Sequence, residues 1–229
     1  MEVNIIIIPP NKGGAFADIR LVFTDRNGDL RKVPVYIDFR PLNDFSKDLN
    51  SVAFDFFLVS SLVYSVDNLL ERESFSVDGW AREITVEFPD HNIALWPPPH
   101  EDFEKLLCFL TGYYWTISFT TAPKGILFKE LKGRWKANIP HYEPNSYQFA
   151  SLFSGGLDSL VGVINELEKL QDGQKGLLLS HYDGTSPGAN SDQERLDSYL
   201  NIKYKDKYAW VQEAVSLSPN DEAGDEISK

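Results

Sequence analysis

Cysteine is almost absent from this chain: one thiol, Cys108, occurs in 229 residues. A disulfide framework and a cysteine-rich zinc site are both excluded within the chain, so we expect no zinc cofactor. Cys108 lies in the apolar stretch FEKLLCFL, which has helical spacing. This context favours a buried structural thiol over a nucleophile.

Positive charge is also scarce, because 22 Lys and Arg stand against 34 Asp and Glu and give a formal net charge of −12. Such a chain lacks the electrostatic footprint of sequence-independent nucleic-acid binding, so nucleic acid is not expected as the main partner. Long apolar runs are missing as well. The longest, Val52 to Val66, contains Asp55 and is too short to span a bilayer. Ile5 to Ile8 lacks the flanks of a signal peptide. We therefore predict a cytoplasmic chain with no membrane partner.

The first part of the chain has the patterns of a mixed α+β domain. Asn27-Gly28 separates two strand-like segments and predicts a hairpin. The stretch PHYEPNS, residues 140–146, predicts a connector, so the expected domains are residues 1–145, of unknown role, and residues 146–229. The predicted elements of the first domain are helices at Leu49–Arg72 and Glu101–Leu110, and strands at Val3–Ile8, Asp18–Thr24, Arg31–Phe39, Trp80–Phe88, Tyr113–Thr120 and Ile126–Leu131.

The second part is more regular and predicts an α/β domain. Its predicted strands are Gln148–Phe153, Gly176–Ser180 and Tyr208–Leu217, and its predicted helices are Leu157–Leu170 and Ser191–Tyr204. Asp172-Gly173 is expected to end the first helix. Ser191, with Glu194 three residues later, predicts a capping box at the start of the second helix. The order β-α-β-α-β predicts a parallel sheet with right-handed crossovers and helices on its faces.

The motif SGGLDS, residues 154–159, lies between the first strand and the first helix of that domain. Two glycines let the backbone turn sharply and direct N–H groups at an anion, and the helix beginning near Leu157 adds its positive dipole end. Ser154 and Ser159 supply hydroxyl donors. Asp158 would repel phosphate unless a Mg²⁺ ion bridged the two. The alternative is a serine-capped glycine-rich turn that binds nothing. The motif is not a Walker A loop, because Gly-Lys-Ser/Thr is missing.

SGGLDS resembles the motif of the PP-loop ATP pyrophosphatases. Within them, LFSGGLDSLVGV after a long N-terminal extension is most similar to the QueC-like enzymes (cyano-deazaguanine synthases), in particular QatC-type proteins of anti-phage defence islands. The resemblance implies a partial parallel-sheet domain of the HUP (adenine nucleotide alpha hydrolase-like) class. It also implies ATP and Mg²⁺ as cofactors, and adenylation of a carboxylate or amide oxygen with release of pyrophosphate. The acceptor would be a deazaguanine-type small molecule or a group on a partner protein of a defence operon.

Carried onto this sequence, the resemblance assigns the pyrophosphate moiety to the loop and Mg²⁺ to Asp158, which is also the expected catalytic residue. The loop residues expected to bind the nucleotide are Ser154, Gly155, Gly156, Leu157, Asp158 and Ser159. Family members place residues near adenine and ribose at the end of the second strand, here Ser180, His181 and Tyr182. A plain strand terminus with a surface histidine is the alternative for these three.

Three further sets of residues are candidates by composition alone. Gln193 and Arg195 are interpreted as part of a solvated helix face. Arg134, Trp135 and Lys136, with Trp115 nearby in sequence, form a basic–aromatic set, for which ordinary strand packing is the preferred interpretation. His91 and His141 have no metal-ligand spacing and receive no role.

The chain departs from the family after its third predicted strand. The arginine-containing segment and the four-cysteine zinc cluster of QueC enzymes have no counterpart here, so we expect a truncated catalytic domain with an open sheet edge and weak or no activity on its own. Two alternatives to an enzyme of QueC type stay open. One is a non-catalytic scaffold that binds nucleotide or partner. The other is a tRNA-modifying PP-loop enzyme, which the net charge disfavours.

Overall fold

The computed structural model describes residues 1–8, 17–38, 52–70, 72–90, 100–122, 142–182 and 187–217. These residues form a mixed α/β structure with parallel and antiparallel strand pairs. The chain divides into two compact units. The first holds the strands and helices up to residue 121, and the second holds those from residue 144 onward.

In the first unit, five strands lie in the order β5-β4-β1-β2-β3. Their bounds are β1 Glu2–Ile8, β2 Asp18–Thr24, β3 Leu30–Ile37, β4 Glu83–Asp90 and β5 Tyr114–Thr121. The β1–β2 and β2–β3 pairs are antiparallel, whereas β4 runs parallel to both β1 and β5. The predicted strands in these regions are confirmed to within a few residues.

The predicted hairpin joins β2 to β3. Asp25 forms its turn, because one carboxylate oxygen accepts the amides of Asn27 (2.8 Å) and Asp29 (3.0 Å). Gly28 has a φ of +87°, a conformation that glycine adopts without strain. The other Asp25 oxygen accepts Nε of Arg31 at 2.8 Å, and these contacts hold the pKa of Asp25 below its usual range.

Three helices complete the first unit: α1 (Val52–Leu69), α2 (Arg72–Phe75) and α3 (His100–Thr111). Helix α1 buries Leu58, Val59, Leu62 and Val66, which recur at helical spacing. None of the helices in the described ranges combines the length and the apolar composition needed to cross a membrane.

Helix α3 lies beside β5, the terminal strand of the first unit's sheet. Three of its side chains accept backbone amides of the segment that enters and forms β5. Thr111 Oγ1 accepts the amide of Tyr113 at 3.3 Å, Cys108 Sγ that of Trp115 at 3.4 Å, and Glu104 Oε2 that of Ile117 at 3.1 Å. These side chains occupy positions that an added strand would otherwise use. Cys108 is half-buried, and so less buried than predicted, and its sulfur takes part in this backbone contact.

In the second unit, a short 3-10 helix (Pro144–Ser146) precedes β6 (Tyr147–Leu152), α4 (Leu157–Lys169), β7 (Lys175–Tyr182), α5 (Pro187–Tyr204) and β8 (Tyr208–Leu217). The three strands are parallel with β7 in the centre, so the predicted parallel sheet is confirmed. One core cluster joins Val163 and Leu167 of α4, Leu178 of β7 and Leu200 of α5. Both helices therefore pack on the same face of the sheet.

Two predicted helix caps in the second unit are wrong, although the predicted bounds of α4 are confirmed to within one residue. Helix α5 begins at Pro187, so Ser191 lies inside it and is not its N-cap. Proline suits the first helical position, since its fixed φ is helical and its missing N–H has no partner there. Helix α4 ends with Leu170 as C-cap, and Gly173, with a φ of +80°, belongs to the turn that follows.

Several predictions lie outside the described residues. They concern His91, the strand at Ile126–Leu131, the Arg134–Trp135–Lys136 set and His141.

Candidate functional site

The loop of residues 153–156 joins the carboxyl end of β6 to the start of α4. Phe153 is buried, and its amide donates to the carbonyl of Leu179 on β7 at 2.7 Å, which ties the start of the loop to the sheet. Gly155 then turns the chain with a φ of +89°, in the left-handed region. In open parallel sheets, ligands bind outside the carboxyl ends of the strands, and this loop is at such an end.

Helix α4 begins without a side-chain cap. Its N-cap residue is Gly156, in an extended conformation, and among the described residues no side-chain capping hydrogen bond is formed there. The serine cap of the alternative interpretation is therefore absent from this helix. Uncapped amides at a helix N-terminus are donors that carry partial positive charge, and they suit an anion.

The two loop hydroxyls are hydrogen-bonded to each other and to the loop. Ser154 Oγ donates to Ser159 Oγ at 3.1 Å, and Ser159 Oγ donates to the carbonyl of Gly156 at 2.9 Å. Ser154 Oγ also accepts the amide of Gly156 at the longer distance of 3.4 Å. Both hydroxyls lie beside the N-terminus of α4, where the sequence places them, and a rotation about each C–O bond turns their protons toward a ligand.

Asp158 lies in the first turn of α4 with an exposed side chain. Within the described residues, no three Asp, Glu, His or Cys side chains are grouped closely enough to enclose a metal ion. A lone carboxylate nevertheless fits Mg²⁺, which keeps several waters and is commonly held by one or two carboxylates together with substrate phosphates.

The end of β7 carries the three residues predicted near the base and ribose. Ser180 is buried, and its hydroxyl donates to the carbonyl of Phe153 and accepts Nε1 of Trp210 at 2.8 Å. These contacts favour a supporting role for Ser180 over direct contact with a nucleotide. His181 is exposed, and Tyr182 is the last residue of β7.

The interpretation of Gln193, near the start of α5, as part of a solvated helix face is wrong. The residue is buried, with 1% of its surface exposed. Its Nε2 donates to the carbonyls of His181 (3.1 Å) and Ser154 (3.4 Å), and its Oε1 accepts Nε2 of Gln212 (3.1 Å). Arg195 does lie on the exposed face, with Asp192 at 3.9 Å. Composition alone gave no sign of this difference between Gln193 and Arg195.

Three exposed apolar side chains lie near the loop in sequence. Leu152 at the end of β6 is 77% exposed, and Leu157 and Val161 of α4 are 74% and 48% exposed. Strand β6 is also the terminal strand of the described order. Leu152 is three residues after Phe149, which packs on the core shared with α4, so the Leu152 side chain lies on the opposite face of the sheet from Leu157 and Val161.

Comparison with known protein families, with curated proteins and with solved structures finds no match to this chain.

Proposed function

We propose that the loop of residues 154–159 binds the phosphates of ATP with Mg²⁺, in a domain of the HUP class. The chain would activate a carboxylate or amide oxygen as an adenylate with release of pyrophosphate, as the resemblance to QueC-like PP-loop enzymes implies. The observation that carries the proposal is the uncapped start of α4 next to Gly155 at positive φ, at the carboxyl end of a parallel sheet.

Each loop residue has a role that its geometry supports. The backbone amides from Gly156 onward would donate to phosphate oxygens, with Ser154 and Ser159 beside them. Asp158 would hold Mg²⁺, which would neutralise charge on the phosphates and on the leaving pyrophosphate. Leu157, exposed at the start of α4, would offer an apolar contact to the base of the nucleotide. The acceptor would be a deazaguanine-type molecule or a group on a partner protein.

The proposal is tested with Asp158→Ala and a matched control, Asp172→Ala. Asp172 is also exposed, but it follows the far end of the 13-residue helix α4, about 20 Å away. We expect Asp158→Ala to weaken binding of ATP with Mg²⁺ in calorimetry by about ten- to a hundredfold, the loss expected for one contact to a charged group. Asp172→Ala should bind like the parent.

ATP–pyrophosphate exchange separates the enzyme from the non-catalytic alternative. Exchange that is lost in Asp158→Ala supports adenylation, whereas ATP binding without exchange favours the nucleotide-binding scaffold. Equal affinity of the parent chain and Asp158→Ala for ATP with Mg²⁺ would show that the proposed site is wrong.

A further inference from the structure

The side chain of Gln193 uses its whole primary amide inside the second unit. A glutamine amide has two N–H donors and one carbonyl oxygen. One donor lies 3.1 Å from the carbonyl of His181 and the other 3.4 Å from that of Ser154, while the oxygen accepts Nε2 of Gln212 at 3.1 Å. Gln193 therefore contacts the end of β7, the loop after β6, and β8.

A second set of hydrogen bonds also links β8, β7 and the loop after β6, and it reaches the loop at Phe153, one residue before Ser154. Trp210 of β8 donates to Ser180 of β7, and Ser180 donates to the carbonyl of Phe153. Two consecutive carbonyls, those of Phe153 and Ser154, are thus held by side chains from neighbouring elements. The backbone that enters the glycine turn is fixed before Gly155 begins it.

The carbonyl of Ser154 determines where the next amide points. A trans peptide unit is planar, and its C=O and N–H groups point in opposite directions. Because Gln193 binds the Ser154 carbonyl from the buried side, the N–H of Gly155 is directed away from Gln193, toward the open side of the loop. A free rotation of this peptide would instead let the carbonyl oxygen face an incoming anion and repel it.

We infer that Gln193 is a positioning residue that holds the Ser154–Gly155 peptide with its N–H toward the bound phosphate. The identity of that ligand rests on the proposed function. The orientation of the peptide does not, and it can be measured in the free protein.

The test replaces Gln193 with methionine, which keeps the length and volume of the side chain but removes all three hydrogen bonds. The matched control is Gln174→Met, because Gln174 accepts the amide of Gln171 at 2.9 Å in the turn at the far end of α4. In ¹⁵N-glycine spectra of the free protein, we expect the amide resonances of Gly155 and Gly156 to shift or broaden in Gln193→Met and to stay in place in Gln174→Met. Gly162, in the middle of α4, serves as an internal reference.

Binding of ATP with Mg²⁺ is the second measurement. Gln193→Met should bind about tenfold more weakly than the parent, the order expected when hydrogen bonds that orient one donor are lost, and Gln174→Met within about twofold. Should Gln193→Met fail to fold, Gln212→Met removes the anchor of the Gln193 oxygen and should shift the same two glycines by a smaller amount. Unmoved Gly155 and Gly156 resonances in a folded variant would overturn the inference.

The two hypotheses fail in different ways. Shifted loop glycines in Gln193→Met together with no ATP binding by the parent would support the positioning role and contradict the proposed ligand. ATP binding that is equal in the parent and in Gln193→Met, with unmoved glycines, would support the ligand and contradict the positioning role.

Discussion

Alanine at Gly155 should destabilise the fold, whereas alanine at Gly156 should leave stability nearly unchanged and weaken ligand binding. Gly155 has a φ of +89°, so a Cβ there costs about 1–2 kcal/mol regardless of the surrounding space. Gly156 has a φ of −84°, and its added Cβ would meet only Ser154 Oγ at 3.5 Å within 4 Å, which is ordinary contact. For a chain of this size, the cost at Gly155 corresponds to a drop in Tm of about 2 to 8 °C, whereas Gly156→Ala should change Tm by less than about 2 °C.

Gly156→Ala is the more informative of the two for function. The added methyl group lies beside Ser154 Oγ on the exposed side of the loop, where a phosphate would approach the amides. Thermal unfolding and ATP calorimetry are measured on both variants and on Gly162→Ala, a control in the middle of α4 whose Cβ would meet nothing within 4 Å. Binding by Gly156→Ala that equals that of the parent would refute the phosphate site at this loop. An unchanged Tm in Gly155→Ala would refute the strain argument.

Two further predictions concern stability in the second unit. Gly176→Ala should destabilise the fold by about 1–3 kcal/mol in urea unfolding, because its Cβ would lie 2.3 Å from Cζ of Phe149, whose ring packs on the core. Gly162→Ala should instead stabilise the fold by about 0.5–1 kcal/mol, since its Cβ would meet nothing within 4 Å. Equal effects of the two substitutions on the free energy of unfolding would contradict this account. Glu168 accepts Nζ of Lys203 and the hydroxyl of Tyr204, which hold its pKa below the ordinary value of 4.5. A carboxylate with a lowered folded pKa contributes stability above that ordinary value and loses it as the pH falls through the folded value. The stability difference between the parent and Glu168→Gln should therefore shrink as the pH is lowered from neutral to below 4.5. A pH-independent difference would rule that linkage out.

The local parts of the fold follow from local patterns. The hairpin at Gly28 and the strand–loop–helix around residues 154–159 depend on neighbouring residues, and both are where the sequence places them. The predicted start of a strand at Trp80 is wrong because Asp78 accepts the amides of Trp80 (2.9 Å) and Ala81 (2.6 Å) and holds a turn, and β4 begins only at Glu83. Aspartate competes with a strand ladder for backbone amides in this way.

Gln193 shows why the rest of the candidate site was not predictable. Its partners Ser154 and Gln212 are 39 and 19 residues away in sequence, so nothing near Gln193 indicates its burial. The supporting role of Ser180 was equally hard to predict, since its partners Phe153 and Trp210 are 27 and 30 residues away in sequence. The residues of the motif were found from their spacing in the sequence, whereas Gln193 and Ser180 are brought to the loop by the fold.

The rate at which Cys108, the single thiol, reacts with a labelling reagent can report on the packing of the first unit, because its sulfur accepts a backbone amide. Its sulfur is partly buried between α3 and β5 and accepts the amide of Trp115, so a thiol reagent gains full access only when that helix separates from that strand. The candidate site lies in the second unit, and no other cysteine exists in the chain to confuse the signal. Labelling rates measured with and without nucleotide would therefore report whether events at the loop reach the other half of the molecule.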